Sequence, residues 1–254
     1  MSRWMPVVDA LGPQVRSRWV FNCYLIPDAG EGRPLLIDVG LRSHAAAAAQ
    51  WLAQHHLSRP LVAATHLHSD HVGGIPTLCN ECGMTDESVL LPARAQPYLD
   101  GSETPRSPGL REVARIHPVF RSQRFSLGSL IEQARGPQIG YGLREMSAPA
   151  SSPTWLHDGE TMFSAGEWQV LSAPGHTDDS TAFYHEASRT LASGDAVLTA
   201  NGRAWFNPEY VDAARSAETE DRFRSLRVDV LLPGHGRPLV GRDLLAQARS
   251  SKHR

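Results

Sequence analysis

Six consecutive residues constrain this chain more than any other feature: His66, Leu67, His68, Ser69, Asp70 and His71, within THLHSDHVGG (Thr65–Gly74). Successive side chains of a regular helix point in widely different directions, so these three imidazoles and one carboxylate could not all face one point from a helix. On a tight loop they can, divided into two groups that face two cations. Neutral imidazole and carboxylate are both good ligands for first-row metals. Gly73 and Gly74 follow at once and are expected to let the chain turn sharply into a helix beside the site.

The flanking residues predict where that loop sits. Pro60 opens LVAAT, a short apolar run that ends at Thr65 and reads as a buried strand. Strand, ligand loop, then helix is the order expected where a site lies at the carboxyl end of a strand. Three more ligand types recur in the same setting, each after an apolar run and beside glycine: His176 in APGHT, Asp195 in SGDAV and His235 in LPGHG. Any one of them could be an ordinary turn residue. Four such elements in order are hard to reach by chance.

The rest of the chain reads as alternating strands and helices, an α/β protein. Strands are expected at Arg18–Ile26, Pro34–Gly40, Val89–Ala93, Thr181–Tyr184, Thr190–Ser193 and Val228–Gly236, with a turn at Asp28–Gly32. The stretch from Thr161 to His176 reads as strand, glycine turn and strand, then the ligand loop. Helices are expected at Ser43–Leu57, capped by Ser43, and at Pro208–Leu226, opened by Pro208. Between Pro76 and Thr154 the pattern is irregular, with short helices at Gly109–Ile116 and Leu127–Arg135 and a loop at Gly136–Gly142. A long irregular stretch beside a metal motif is expected to be an insertion or lid on a single domain spanning 1–254.

Composition narrows the function. The net charge of −2 and pI of about 6.6, with no long basic run, disfavour a nucleic-acid binder. No apolar run approaches the roughly 18 residues of a membrane span, and MSRWMPVVDALGPQ has no secretory pattern. Three cysteines, Cys23, Cys79 and Cys82, suit a reducing compartment, so a cytoplasmic protein is expected. The CNEC pair reads as structural thiols, and His44, His55, His56, His117, His157, His185 and His253 as solvated or satisfied polar side chains.

Taken with the later GH, GD and GH, HLHSDH resembles the metallo-β-lactamase superfamily over nearly the whole chain outside Pro76–Thr154. The resemblance implies an αββα sandwich of two mixed β-sheets with helices on the outer faces. It implies that His66, His68 and His176 hold one metal, that Asp70, His71 and His235 hold another, and that Asp195 bridges them. Asp38, in LIDVG, matches the family's strand-end aspartate, which orients ligands. Two zinc ions are expected, with iron or manganese as alternatives. The lactamases of the family that use a cysteine in the second site are a poor match, because Asp195 has no cysteine nearby. PGHTDDS, SGDAVL and LLPGHG are closer to the lactamase-like ribonucleases, thioesterases and glyoxalase II-like hydrolases. The chain ends nineteen residues after His235, without the basic segment of those ribonucleases or the helical domain of glyoxalase II.

Two cations a few ångströms apart lower the pKa of a shared water, so hydroxide forms near neutral pH. The expected activity is hydrolysis of a thioester, ester or lactone carbonyl of a small molecule, with Asp70 as proton shuttle. Asn201, Arg203, Trp205, Phe206 and Tyr210, which follow Asp195, are candidates to line the cleft. The alternatives are a metal-dependent endoribonuclease or phosphodiesterase, a mononuclear iron persulfide dioxygenase, and a binding protein that keeps the fold without catalysis.

Overall fold

The computed structural model describes residues 4–9, 11–135, 139–141, 147–162 and 168–251. A first sheet of seven strands runs β1 (Met5–Pro6), β2 (Gln14–Arg18), β3 (Phe21–Ile26), β4 (Leu35–Ile37), β5 (Leu61–Ala63), β6 (Val89–Pro92) and β7 (Thr154–Leu156), in that spatial order. Its first four strands pair antiparallel and β4 to β7 pair parallel. Next in the chain come β8 (Trp168–Ser172), β9 (Thr181–His185), β10 (Thr190–Gly194), a separate hairpin of β11 (Val197–Ala200) and β12 (Arg203–Phe206), then β13 (Val230–Pro233) and β14 (Leu239–Val240). The second sheet has the order β14-β13-β10-β9-β8 and is mixed, with β10 and β13 parallel. The helices are α1 (Arg42–Gln54), α2 (Ser69–Val72), α3 (Ile75–Cys82), α4 (Gln96–Leu99), α5 (Leu110–Arg115), α6 (His117–Ser122), α7 (Leu127–Arg135) and α8 (Ala213–Arg224).

The alternation along β3 shows how the layers arise. Tyr24 and Ile26 point inward, where they meet Leu35, Ile37 and Leu90 of their own sheet and Val170, Phe183 and Leu232 of the other. Cys23 and Leu25 point outward into a second cluster with Ala45, Ala48 and Leu52 of α1 and Ile75 and Leu78 of α3. On the far side Leu171, Tyr184, Leu191 and Leu231 pack under Phe223 of α8. A two-residue period buries both faces of each sheet, and the helices cover the outside. The result is the αββα sandwich expected.

Several boundaries differ from the sequence reading. Arg18–Ile26 is not one strand: the chain reverses at Trp19 and Val20, where Trp19 takes a left-handed φ of 59° with no glycine to announce it. Ser43 does not cap α1. Leu41 occupies the cap position, and the Glu132 carboxylate of α7 instead accepts bonds from Ser43 N at 2.7 Å and Oγ at 2.9 Å. Helix α8 starts after Asp212, whose carboxylate accepts from Ala214 N and Arg215 N, rather than at Pro208. The strand β6, within the stretch expected as an insertion, lies between β5 and β7 in the first sheet. Residues 163–167 of the expected glycine turn, 136–138 and 142 of the expected loop, and His253 lie outside the described residues. His44 is fully buried with neither ring nitrogen hydrogen-bonded. Burial, helped by Arg16 and Arg18, pushes its pKa down to about 3 and so keeps it neutral.

Glycine serves the ligand loop by its size. Gly73 and Gly74 have ordinary negative φ values of −59° and −92°, so no unusual conformation is needed there. A Cβ on Gly74 would collide with the Leu41 carbonyl, and one on Gly40 would land on the Asp70 carbonyl. The HLHSDH loop therefore packs backbone to backbone on the segment after β4.

Candidate metal centre

All the ligand-type residues gather at the carboxyl ends of strands. His66 and His68 follow β5, and His68 precedes the single turn of α2 that carries Asp70 and His71. His176 follows β8, Asp195 directly follows β10, and His235 follows β13. The side chains form three overlapping groups whose donor atoms lie within 4.8 Å of one another: His66, His68 and His176; His66, His71 and Asp195; Asp70, His71 and His235.

The first group has the dimensions of a tetrahedral face. His68 Nδ1 lies 3.0 Å from His66 Nε2 and 3.3 Å from His176 Nε2. Metal–nitrogen bonds of about 2.0–2.1 Å at the tetrahedral angle would place such donors about 3.3–3.4 Å apart. In the second group His235 Nε2 is 3.3 Å and His71 Nε2 4.0 Å from Asp70 Oδ2. Asp195 stands between the groups, its Oδ2 3.5 Å from His176 Nε2 and 3.3 Å from His235 Nε2, its Oδ1 3.6 Å from His71 Nε2. His71 Nε2 and Asp195 Oδ1 are buried and have no hydrogen-bond partner. Two orphaned polar atoms facing each other in the interior are costly unless a further group satisfies them. The donor set, its spacing and these orphans all fit divalent metal ions.

The far sides of His66, His71, His176 and His235 face named partners. His176 Nδ1 donates to the Glu209 carbonyl at 2.8 Å and His235 Nδ1 to the Val20 carbonyl at 3.0 Å. His71 Nδ1 lies 3.0 Å from Asp38 Oδ2. Thr65 Oγ1 donates to Asp38 Oδ2 at 2.9 Å and can accept from His66 Nδ1 at 3.2 Å, so one carboxylate orients two ligands. For His66, His176 and His235 the contact holds a proton on the outer nitrogen, so the inner nitrogen is the one free to ligate once it is deprotonated. Asp38 itself sits at φ 59°, with its N–H bonded to the Ala63 carbonyl. Replacing Asp38 by Asn is expected to weaken metal binding by about ten- to a hundredfold, through His71 and, by way of Thr65, His66, as read by competition with a chelator.

Electrostatics divides the histidines. Burial and the neighbouring imidazoles hold His66 well below its usual range and push His68 down to about 3. Burial also opposes charge on His71 and His235, but there the carboxylates win. Asp38, Asp195 and Asp70 raise His71 to about 10, and Asp195 and Asp70 raise His235 well above its usual value. Burial pushes Asp70 and Asp195 up, yet these two histidines outweigh it and both carboxyls fall below the usual range.

The candidate cleft residues are placed differently. Trp205 is buried among Val20, Phe21 and Leu198, one layer behind His235, and Phe206 is buried under the Arg224 guanidinium. Asn201 and Arg203 are exposed at the tip of the β11–β12 hairpin. Tyr210 is half-buried beside Arg115, one residue after Glu209. Cys79 and Cys82 are half-buried on α3 against the first outer cluster, as structural thiols would be.

Two supports escaped the sequence reading. Asp179, in PGHTDDS, accepts from Leu67 N at 2.9 Å and from the Tyr141 hydroxyl at 2.5 Å, tying the His176 loop to the HLHSDH loop. Tyr141 also packs its ring edge-on to His68 and accepts a backbone bond from Ser69 N. The paired aspartates after His176 were the available signal for the first. Nothing local marked the second.

The model of the metallo-beta-lactamase superfamily matches residues 18–235. The chain belongs to that superfamily. It is 27% identical over 199 residues to the probable metallo-hydrolase YflN of Bacillus subtilis, covering 70% of this chain and 65% of that protein. It is 29% identical over 185 residues to the acyl-coenzyme A thioesterase MBLAC2 of Gallus gallus, covering 70% and 57% respectively. The chain therefore spans less than two thirds of the length of these relatives. Among solved structures it resembles TTHA1623 in a di-iron-bound form, with a TM-score of 0.57 and 24% identity over 90% of this chain and 93% of that one. Among the described residues no helix is long and apolar enough to cross a membrane.

Proposed function

We propose that this metallo-hydrolase is dinuclear and cleaves a thioester, ester or lactone of a small molecule. The observation that carries the reading is Asp195, one carboxylate within 3.6 Å of donors from both ligand groups. His66, His68 and His176 would hold one ion and Asp70, His71 and His235 the other, with Asp195 shared. Zinc is the metal expected from the imidazole-rich set, with iron or manganese as alternatives; the similarity to a di-iron protein supports iron among these. When bound, the ions supply Lewis acidity and an activated water. Asp70 is the partly open carboxylate, 21% exposed against 4% for Asp195. It can therefore pass a proton between the centre and solvent. Asp38 keeps His71 and, through Thr65, His66 in the ligating orientation. The similarity to an acyl-coenzyme A thioesterase supports an acyl substrate.

The segment from α4 to α7 would act as a lid over this centre. Arg106 makes a two-pronged ion pair with Asp178, two residues after His176. Arg115 donates to the Pro208 carbonyl, and Gln133 Nε2 donates to Ser69 Oγ between His68 and Asp70. Elemental analysis with a panel of chromogenic thioesters, esters, lactones and phosphodiesters tests the proposal. About two zinc ions per chain with acyl turnover is the expected result. One iron per chain with oxygen consumption, or turnover of phosphodiesters alone, would overturn it.

A further inference from the structure

Helix α7 is turned inside out. Its inner face is polar. Glu132 bonds Ser43 and lies 3.7 Å from Arg18 Nη2, and Gln133 donates to Ser69 at 2.9 Å. Its outer face is apolar. Leu127, Leu130 and Ile131, at i, i+3 and i+4, are 58%, 41% and 39% exposed, and Phe125 just before them is 58% exposed. A surface helix ordinarily buries such a stripe. Four large apolar side chains left in water on one short segment mark a contact surface.

A chain of ring contacts links that surface to the metal centre. Phe125 packs edge-on to Trp19 at 5.1 Å, Trp19 edge-on to Phe21 at 6.0 Å, and Phe21 edge-on to the ligand His235 at 5.9 Å. Trp19 is fixed at the β2–β3 turn, and its indole N–H donates to the Phe120 carbonyl at 3.4 Å. A ladder of rings thus leads from a ligand of the second ion to the exposed face of α7. The nearness of the apolar face to the centre favours an occupant that reaches both over one that merely touches the surface.

Resting on the hydrolase reading above, we propose that the substrate is an amphiphile whose long apolar chain leaves the scissile bond past Trp19 and Phe125 and lies on the outer face of α7. Half-covered on such a face, each methylene would gain about half of the roughly 0.8 kcal/mol of full burial, or about twofold in kcat/KM.

Two measurements test this independently. The first is kcat/KM for two series, acyl groups from acetyl to dodecanoyl on a fixed thiol, and alkyl thiols of rising length on a fixed acetyl group. At least one series should rise about twofold per methylene. Phe125→Ser and Ile131→Ser should flatten that rise, whereas Leu11→Ser, far from α7, should not. The second is quenching of tryptophan fluorescence by a brominated dodecanoate in the metal-free protein, which should be diminished in Trp19→Phe. Two flat series, or quenching indifferent to Trp19→Phe, overturn the proposal. So does a Phe125→Ser effect confined to vesicle binding or dimer formation. Quenching that depends on Trp19 with no turnover of any member would instead retire the hydrolase reading and leave the chain-binding face standing.

Discussion

Asp195→Asn is expected to lower kcat/KM by a factor on the order of a thousand or more and to reduce bound metal to about one ion per chain or fewer. The substitution keeps the shape of the side chain and removes its charge. That charge faces His176, His235 and His71 at 3.3–3.6 Å, and among the described residues no other carboxylate is paired with histidines of both groups. Without it the two ions would repel across the gap with no shared anion. The Asp70–His71–His235 set would keep one carboxylate. Metal content and kcat/KM on one preparation measure the effect, and circular dichroism establishes that the variant is folded. A folded Asp195→Asn protein with two ions and undiminished turnover would mean that the centre is not built as described. Asp38→Asn provides the graded comparison, because it acts through His71 and Thr65 and leaves all seven candidate ligands present.

The convergence of the ligand-type residues was legible because metal chemistry leaves a local mark. HLHSDH holds four donors in six positions, and the other three donors sit beside glycine at strand ends. The layered fold was legible for a similar reason, since short apolar runs separated by ligand loops leave few ways to bury both sheet faces. What escaped depends on contacts between distant segments. Glu132 caps α1 from 89 residues away, so Ser43 looked like its own cap. Tyr141 braces His68 from a stretch with no periodic pattern. The strand reading at Arg18–Ile26 holds for Arg18 and Phe21–Ile26 but missed the reversal between them, because Trp19, a residue with strong strand preference, takes the left-handed turn. Trp205 and Phe206 looked like cleft residues by their place after Asp195, yet core packing claims both, Trp205 with Phe21 and Phe206 with Phe223 under Arg224. Propensity and proximity in sequence mislead where tertiary contact decides the outcome.

Acidification is expected to release one ion well before the other. Without cations, His66 and His68 are already neutral, His68 down to about 3, so these two yield few protons on loading. His71, at about 10, and His235, well raised, both carry protons at neutral pH. An ion entering the second group must displace them, so its apparent affinity should fall by up to about a hundredfold per pH unit, while the first changes far less. Bound metal should therefore drop from about two ions to about one per chain between about pH 8 and pH 6 at fixed free metal. The stability of the metal-free protein runs the opposite way. A histidine raised in the folded state contributes fully below its unfolded pKa of about 6.5 and loses that contribution as pH rises through its folded value. Asp70 and Asp195, depressed in the folded state, contribute above their unfolded value of about 4 and lose it only as pH falls through their folded values. Rising pH thus weakens the metal-free protein just as the second ion binds more tightly. The gain in Tm on adding metal should widen steadily from about pH 6 to pH 9. Simultaneous loss of both ions, or a gain in Tm that does not change with pH, would show that His71 and His235 are not the protonated pair.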